Sequence, residues 1–300
     1  MFIILLTLLI SYILLFLYSL RIRDNSIVDV FWGVGFMMIA LLSFFQSEMN
    51  LVQIVMTGLI CLWWVRIVSH IGLRKWKEQR EDPRYAKWRE EWWNGWYFLI
   101  RSFLQVYMLQ MILMLIVAIP ILVVNFVDTS YDSVFCNQTH ILSKIINENA
   151  CKWLDEGSWI YASDELQEIA EAPKKNHTRF IFNMVFLWVI ISLFGLIAET
   201  IADRQLSKFI KIKKPWQMFT WGLYRYSRHP NYFGESMFWL GISLISLPFS
   251  SLGLIWCIVI TILLLFVSWV PLQEARYAGR PEWEAYKSRT SVLIPWCPKK

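Results

Sequence analysis

Charge is scarce in this 300-residue chain: Asp, Glu, Lys and Arg together make up 17% of it, where a soluble domain carries about 25%. With 57% of its residues hydrophobic, a fold of this size cannot hide its apolar surface from water, so a water-bathed exterior over most of the molecule is excluded. Cysteine is sparse too. Five are present, with no Cys-x-x-Cys and no Cys/His cluster, which excludes the usual structural zinc sites and leaves no metal-ligand set to propose. Cys61 and Cys257 fall inside apolar stretches and read as packing residues. No internal repeat and no basic-aromatic surface suited to single-stranded nucleic acid is found. The net charge of +6 therefore asks for an explanation other than a nucleic-acid partner.

What the chain does have is long apolar runs. A helix that crosses a bilayer needs roughly 20 mainly apolar residues. Seven stretches qualify: 2–20, 27–46, 51–69, 98–127, 180–201, 232–249 and 252–271. The first lacks a basic leader and a small-residue cleavage site and ends in Arg21-Ile22-Arg23, so it is expected to be a retained span and not a signal peptide. Pro120 interrupts the fourth, predicting a kink or a tilt. Only Pro248-Phe249-Ser250-Ser251 separates the sixth from the seventh, which suits a tight hairpin. The 18 Trp, 12 Tyr and 20 Phe fit aromatic belts at the two interfaces. The expected fold is all-α: a polytopic membrane protein of about seven transmembrane helices, forming one transmembrane domain over 1–300.

The cations explain themselves once the spans are placed. Connections 21–26, 70–97 and 202–231 and the tail 272–300 share one side and carry most of the 29 Lys and Arg. By the positive-inside rule that side is cytosolic or its organellar equivalent, with the N-terminus outside and the C-terminus inside. On the opposite side lies one long polar segment, about 128–178, with nine acidic residues against four lysines. It contains the glycosylation sequons Asn137-Gln138-Thr139 and Asn176-His177-Thr178, and Cys136 and Cys151, which could pair if that side is an ER lumen. Ser163–Ile169 is patterned for a short amphipathic helix. The segment holds no catalytic constellation, so its expected role is structural or in contact with protein partners.

Polar residues gather at the inner side. Arg66, His70 and Arg74 stand at i, i+4 and i+8, one stripe on a helix, where like charges repel unless something anionic lies between them. A cofactor phosphate is one candidate and lipid headgroups are the other. Glu199 and Asp203 stand at i, i+4 near the inner end of the fifth span, where acids are costly and usually face a polar cavity; an ion pair with Arg204 is the plainer reading. Glu81-Asp82-Pro83-Arg84-Tyr85, followed by Trp88-Arg89, reads equally well as a surface loop of solvated ion pairs. The densest stretch is Gly222-Leu223-Tyr224-Arg225-Tyr226-Ser227-Arg228-His229-Pro230-Asn231-Tyr232-Phe233-Gly234-Glu235. Pro230 suits the first turn of a helix. Asn231 and Glu235 then share a face beside Tyr232, and the free amides of the helix start point toward an anion flanked by Arg225, Arg228 and His229. In the tail, Glu274, Arg276, Tyr277, Tyr286 and Arg289 are placed to close over the same site.

The stretch 222–235 resembles the signature of steroid 5-alpha-reductase-like membrane proteins, in the branch common in bacteria and protists. Asn25–Gly33, His70–Arg74, Glu81–Tyr85 and Ala202–Leu206 match further pieces of the same pattern in order along the chain. The resemblance implies a seven-helix fold with an NADPH cavity open to the cytosolic side. It also implies hydride delivery to a carbon–carbon double bond conjugated to a ketone, in a hydrophobic, sterol- or lipid-like substrate. By that similarity Asn231 and Glu235 would hold the nicotinamide amide, and Arg74, Asp203, Arg225, Tyr226, Arg228 and Arg276 the ribose and phosphates, with His229, Tyr232 and Tyr286 beside them. Steroid reductases of the family polarise the ketone with a carboxylic acid on the second helix and a Tyr near the end of the third. Asp29 matches the acid. The Tyr position is Ile71 here, which leaves His70 and Tyr85 as candidate proton donors. Two alternatives stay open. One is a non-catalytic structural subunit of a larger membrane complex. The other is an S-adenosylmethionine-dependent membrane methyltransferase, since isoprenylcysteine and phospholipid methyltransferases carry a similar Arg-His-Pro-x-Tyr segment. The expected location is the endoplasmic reticulum or another organelle membrane such as the mitochondrial inner membrane.

Overall fold

A computed structural model describes residues 1–72, 81–92, 95–126, 164–214, 217–250, 253–263, 265, 269–275 and 277–299. Every regular element among them is helical. Helices α1 (Phe2–Ile22), α2 (Ile27–Phe44) and α3 (Leu51–Ile67) follow the first three apolar runs. Each is bounded by local chemistry. Arg23 closes α1 in the left-handed region at φ 55°. Asn50 opens α3 with a capping box, its side chain accepting from the Gln53 amide while Gln53 accepts from the Asn50 amide. A π turn at Val68–Gly72 continues α3. Asp82 caps the short α4 (Pro83–Glu91), with Pro83 in its first turn.

The fourth apolar run is compound. α5 (Gly95–Arg101), a π stretch at Ser102–Met108 and α6 (Leu109–Val117) follow one another, and the chain turns at Ala118 before α7 (Ile119–Phe126). The break falls just ahead of Pro120, which has no amide to donate to the preceding turn. α8 runs from Asp164 to Ile212 as one helix of 49 residues. It absorbs both the expected fifth span and the stretch read as a short amphipathic helix at 163–169. After it come α9 (Pro230–Ser246), α10 (Gly253–Ile262), α11 (Trp269–Ala275) and α12 (Pro281–Arg289).

Among the described residues, five helices are long and apolar enough to cross a bilayer: Phe2–Ile22, Ile27–Phe44, Leu51–His70, Gly95–Val117 and Asn183–Ile212. They mark the chain as an integral membrane protein. The expected sixth span corresponds to α9, and the expected seventh, 252–271, lies partly outside the described residues. α9 has 17 residues, the lower end of the range that crosses a bilayer. Leu247–Phe249 form a turn and end α9 early, as Pro248 requires.

The interior is built around α2, α3 and α9. Phe36 meets Trp63 edge-on at 5.5 Å and Trp239 at 5.0 Å, and Trp63 stacks on Phe238 at 5.9 Å. Outward faces carry large apolar side chains instead, such as Leu14 and Leu17 on α1 and Phe186, Phe194 and Ile197 on α8, as lipid contact demands. Buried polar groups pair across helices: Gln53 donates to the Val124 carbonyl at 3.1 Å and Asn125 to Ser43 at 2.7 Å.

The most extensive helix pairing among the described residues joins α8 and α9, and small residues make it possible. A Cβ on Gly195 would sit 2.4 Å from the Phe238 amide; one on Gly234 would sit 2.5 Å from the Glu199 amide, and one on Gly241 would sit 2.1 Å from Ser192 Oγ. Helix backbones in near contact gain dispersion that lipid cannot supply. This crossing carries Glu199 and Glu235 into the same region of the bundle. The segment after α8 is set by Gly222 at φ +65°, a left-handed residue where a side chain would also meet Gln205 Oε1 at 2.5 Å. Gln205 accepts from the Leu223 amide at 3.0 Å.

Candidate functional site

Three polar clusters line the ends of these helices. The first is built on Asp29, in the first turn of α2. Tyr85 donates to its Oδ1 at 2.7 Å, and Arg84 Nη2 reaches Oδ2 at 3.0 Å. Gln110 of α6 donates to the Tyr85 oxygen at 3.2 Å. The stretch 81–89, which read as a solvated loop, folds back onto the start of α2. Glu81 pairs with Arg89 at 2.8 Å and accepts from the Asn25 amide at 2.7 Å, while Arg84 and the Arg84 amide both hold Asp82. Tyr85 is only 4% exposed. Burial first, and then the neighbouring Asp29 carboxylate, push its phenol well above the ordinary range, so it keeps its proton at neutral pH.

The second cluster centres on Arg66, which the sequence reading took as part of a stripe and did not assign to the site. Arg66 of α3 forks between Glu199 and Asp203 of α8, one guanidinium nitrogen to each carboxylate. The two acids thus find their cation on another helix and not in neighbouring Arg204, which is exposed. His70 Nε2 lies 3.9 Å from Asp203, on the same carboxylate oxygen that Arg66 meets. The three candidate catalytic residues are therefore placed unevenly: Asp29 and Tyr85 touch, and His70 stands beside Asp203. Glu235 lies within electrostatic reach of Arg66 and Asp203.

The third cluster fastens the turn before α9. Glu274 of α11 takes His229 Nε2 at 3.1 Å and Arg228 Nε at 3.3 Å. The His229 ring stacks on Tyr232 at 5.3 Å, and Gln273 donates to the Tyr232 hydroxyl at 2.7 Å. Burial pulls the His229 imidazole below its ordinary range, against the opposing pull of Glu274, so it is neutral at pH 7. The tail laces onto 224–229. The Arg228 amide donates to Ser291 O at 2.9 Å, the His229 amide to Val292 O at 3.2 Å and the Trp296 amide to Tyr226 O at 3.0 Å. The Tyr286 hydroxyl donates to Tyr224 O at 2.5 Å, so that hydroxyl holds the turn in place. The tail thus meets the turn where expected; Arg276, like Arg74, lies outside the described residues, as do Asn137, Cys136 and Cys151.

Against this dense pairing, Asn231 and Glu235 stand out. They sit one turn apart on the same face of α9, both half-buried, and neither side chain has a hydrogen-bond partner among the described residues. Arg228 adds a buried guanidinium nitrogen, Nη1, that likewise has none. A carboxamide, a carboxylate and one unsatisfied guanidinium nitrogen at one helix start make a polar set with bonding capacity in hand.

The chain belongs to the DUF1295 family. That family, described as a protein of unknown function, matches residues 15–147 and 167–290. No curated protein and no solved structure matches. All three clusters of this DUF1295 protein fall within the matched residues, and the interruption at 148–166 lies inside the polar segment that the sequence set apart. Sequence reasoning missed Arg66 as the partner of Glu199 and Asp203, and Gln110 as a third member beside Asp29. The one available signal for Gln110 was an amide side chain in a mainly apolar run, a signal it shares with Gln105 and Asn125.

Proposed function

We propose that this protein is a membrane-embedded, NADPH-dependent reductase of a conjugated carbon–carbon double bond in a hydrophobic, sterol- or lipid-like substrate drawn from the bilayer. The observation that carries this reading is the free pair Asn231 and Glu235. A carboxamide ring substituent offers one acceptor and two donors, and an Asn amide with a carboxylate one helical turn away complements both. The family's general association with steroid 5-alpha-reductase-like proteins supports the same reading.

The residues present fit the cofactor. Asn231 and Glu235 would hold the nicotinamide amide, and the unspent Nη1 of Arg228 would hold a phosphate. When bound, NADPH supplies the hydride. The chain's own part in the chemistry is proton supply. Tyr85 keeps its phenolic proton because it is buried against Asp29, while Arg84 and Gln110 fix the orientation of both groups. A phenol that turned this proton from Asp29 to a ketone oxygen would stabilise the negative charge forming there. The rings of Phe36 and Trp239 connect the two halves: Phe36 lies two turns beyond Asp29, Trp239 one turn beyond Glu235, and they meet at 5.0 Å. In this reading the helices make seven crossings, α9 and α10 included, with the N-terminus outside. The membrane is the endoplasmic reticulum or another organelle membrane.

A second reading has its own observation. Arg66 already neutralises Glu199 and Asp203, acids that a cofactor site would otherwise keep available, and a structural subunit retaining the reductase fold needs no more than that. NADPH binding decides between them. With the purified protein in nanodiscs, NADPH should quench tryptophan fluorescence. Asn231→Ala and Glu235→Gln should each weaken binding by about tenfold or more with unchanged thermal unfolding. No NADPH binding by the wild type, or equal affinity in both variants, removes the reductase reading and leaves the structural one.

A further inference from the structure

A cleft of about 210 Å³ lies between the 3-10 turn Gly222–Arg225 and the C-terminal arm, lined by Arg225, Tyr286, Arg289, Thr290, Pro298 and Lys299. Three of these six residues are cations and none is an acid. The buried and half-buried cations Arg66, Arg84, Arg89 and Arg228 each meet a carboxylate. Arg225, Arg289 and Lys299 form no ion pair among the described residues. The Arg289 Nε is spent on Ala285 O at 3.1 Å, which leaves its two terminal nitrogens to the cleft. Thr290 is buried at the cleft wall.

The cleft is also held open by construction. The Lys299 amide donates to Arg289 O at 3.0 Å and the Trp296 amide to Tyr226 O at 3.0 Å. The first bond ties the end of the arm back to α12, and the second ties the arm to the residue after the turn. Repelling cations fixed on a shared, braced cleft are stabilised by an anion among them. Beside the cleft the arm presents Ile294 at 65% and Trp296 at 72% exposure, side chains suited to the headgroup level of a bilayer. Hydrogen bonds from Ser291 Oγ to Tyr226 O at 2.9 Å and to Ile294 O keep that apolar rim against the turn.

We infer that this cleft binds a phosphate group, through Arg289, Lys299, Arg225 and the Thr290 hydroxyl. The chemistry is common to a phospholipid headgroup and a free phosphate compound, and the rim of Ile294 and Trp296 favours the lipid. The cleft shares Arg225 and Tyr286 with the residues that the resemblance gives to the cofactor, so the test leaves both untouched.

The full chain is compared with the Arg289→Gln/Lys299→Gln double variant and with Lys208→Gln, an exposed cation of α8 that does not line the cleft. In nanodiscs containing phosphatidylglycerol, native mass spectrometry reads retained lipid. In phosphatidylcholine nanodiscs, inorganic phosphate is titrated against thermal unfolding. Retained phosphatidylglycerol about tenfold weaker in the double variant only supports the site, with a lipid as its source. Phosphate protection of the wild type and Lys208→Gln but not of the double variant, without lipid retention, supports the site with a soluble source. Equal behaviour of all three proteins in both arms, or an equal loss in Lys208→Gln, overturns the inference. NADPH binding by the wild type is measured in parallel, so a failure of the cofactor reading registers there and not in either arm of this test.

Discussion

The phenol of Tyr85 donates a 2.7 Å hydrogen bond to Asp29 across 56 residues of chain, and this bond pins the loop after α3 to the start of α2. Arg84 approaches the other carboxylate oxygen at 3.0 Å, so one acid holds two consecutive side chains of α4. Neither pairing is a surface ion pair: Tyr85 is buried, and the group has a structural function whatever its chemistry.

Tyr85→Phe should therefore cost about 1–3 kcal/mol, because a charge-assisted hydrogen bond is lost and Asp29 Oδ1 is left with Gln110 alone. A double-mutant cycle with Asp29→Asn, read by thermal unfolding in nanodiscs, should give a coupling of about 1 kcal/mol or more. Additive losses would show that the two residues act independently. In the reductase reading, NADPH affinity of Tyr85→Phe stays at the wild-type value.

The same residue fixes an alkaline limit. Burial raises the phenols of Tyr85, Tyr224 and Tyr286 above their ordinary value, which is about 10. The folded state then holds these protons more tightly than the unfolded state does. Their contribution to stability is fully present below pH about 10 and is lost as pH rises from there toward the folded-state values. Tyrosinate absorbance should show a fraction of the tyrosines that ionises only when tryptophan fluorescence reports unfolding. Titration of every tyrosine at pH about 10 in the folded protein would contradict this.

Arg66→Met should be among the most damaging single changes in the membrane region. It strands Glu199 and Asp203, with Glu235 nearby, and Glu199 already has one buried oxygen, Oε2, that lacks a hydrogen bond. Removing one partner of a buried pair costs about 3–5 kcal/mol. Adding Glu199→Gln and Asp203→Asn should recover most of the loss, since amides need no cation. A triple variant no more stable than Arg66→Met would show that Arg66 acts by packing alone.

Much of this arrangement was legible in the sequence wherever the signal was local. The apolar runs at 2–20 and 27–46 became α1 and α2, and Pro230 opened α9 with Asn231 and Glu235 on one face. Arg66 was legible as an unusual cation, but its partners lie 133 and 137 residues away, and pairing over such distances leaves no periodic trace. Tyr85 failed for the opposite reason. Its segment has the composition of a solvated loop, and only the long-range bond to Asp29 makes it interior.

Gly234 tests whether the crossing of α8 and α9 sets the geometry of the site. A Cβ there would stand 2.5 Å from the Glu199 amide and 2.7 Å from both Glu199 Cβ and Gly195 O. Two of these atoms belong to backbone and cannot swing aside, so Gly234→Ala must push the helices apart. Overpacking at such a contact costs about 1–3 kcal/mol or more. The shift acts directly on Glu199, the partner of Arg66, and on Glu235 one residue further along α9. Gly58→Ala in α3 is the matched control, since nothing lies within 4 Å of the added methyl. That change should leave stability unaltered or raise it slightly by favouring the helix. Thermal unfolding in nanodiscs measures both, and an equal small effect at the two glycines would mean that the backbones are not in close contact. If the crossing does position Glu235, Gly234→Ala should also weaken NADPH binding in the reductase reading, while Gly58→Ala leaves it unchanged.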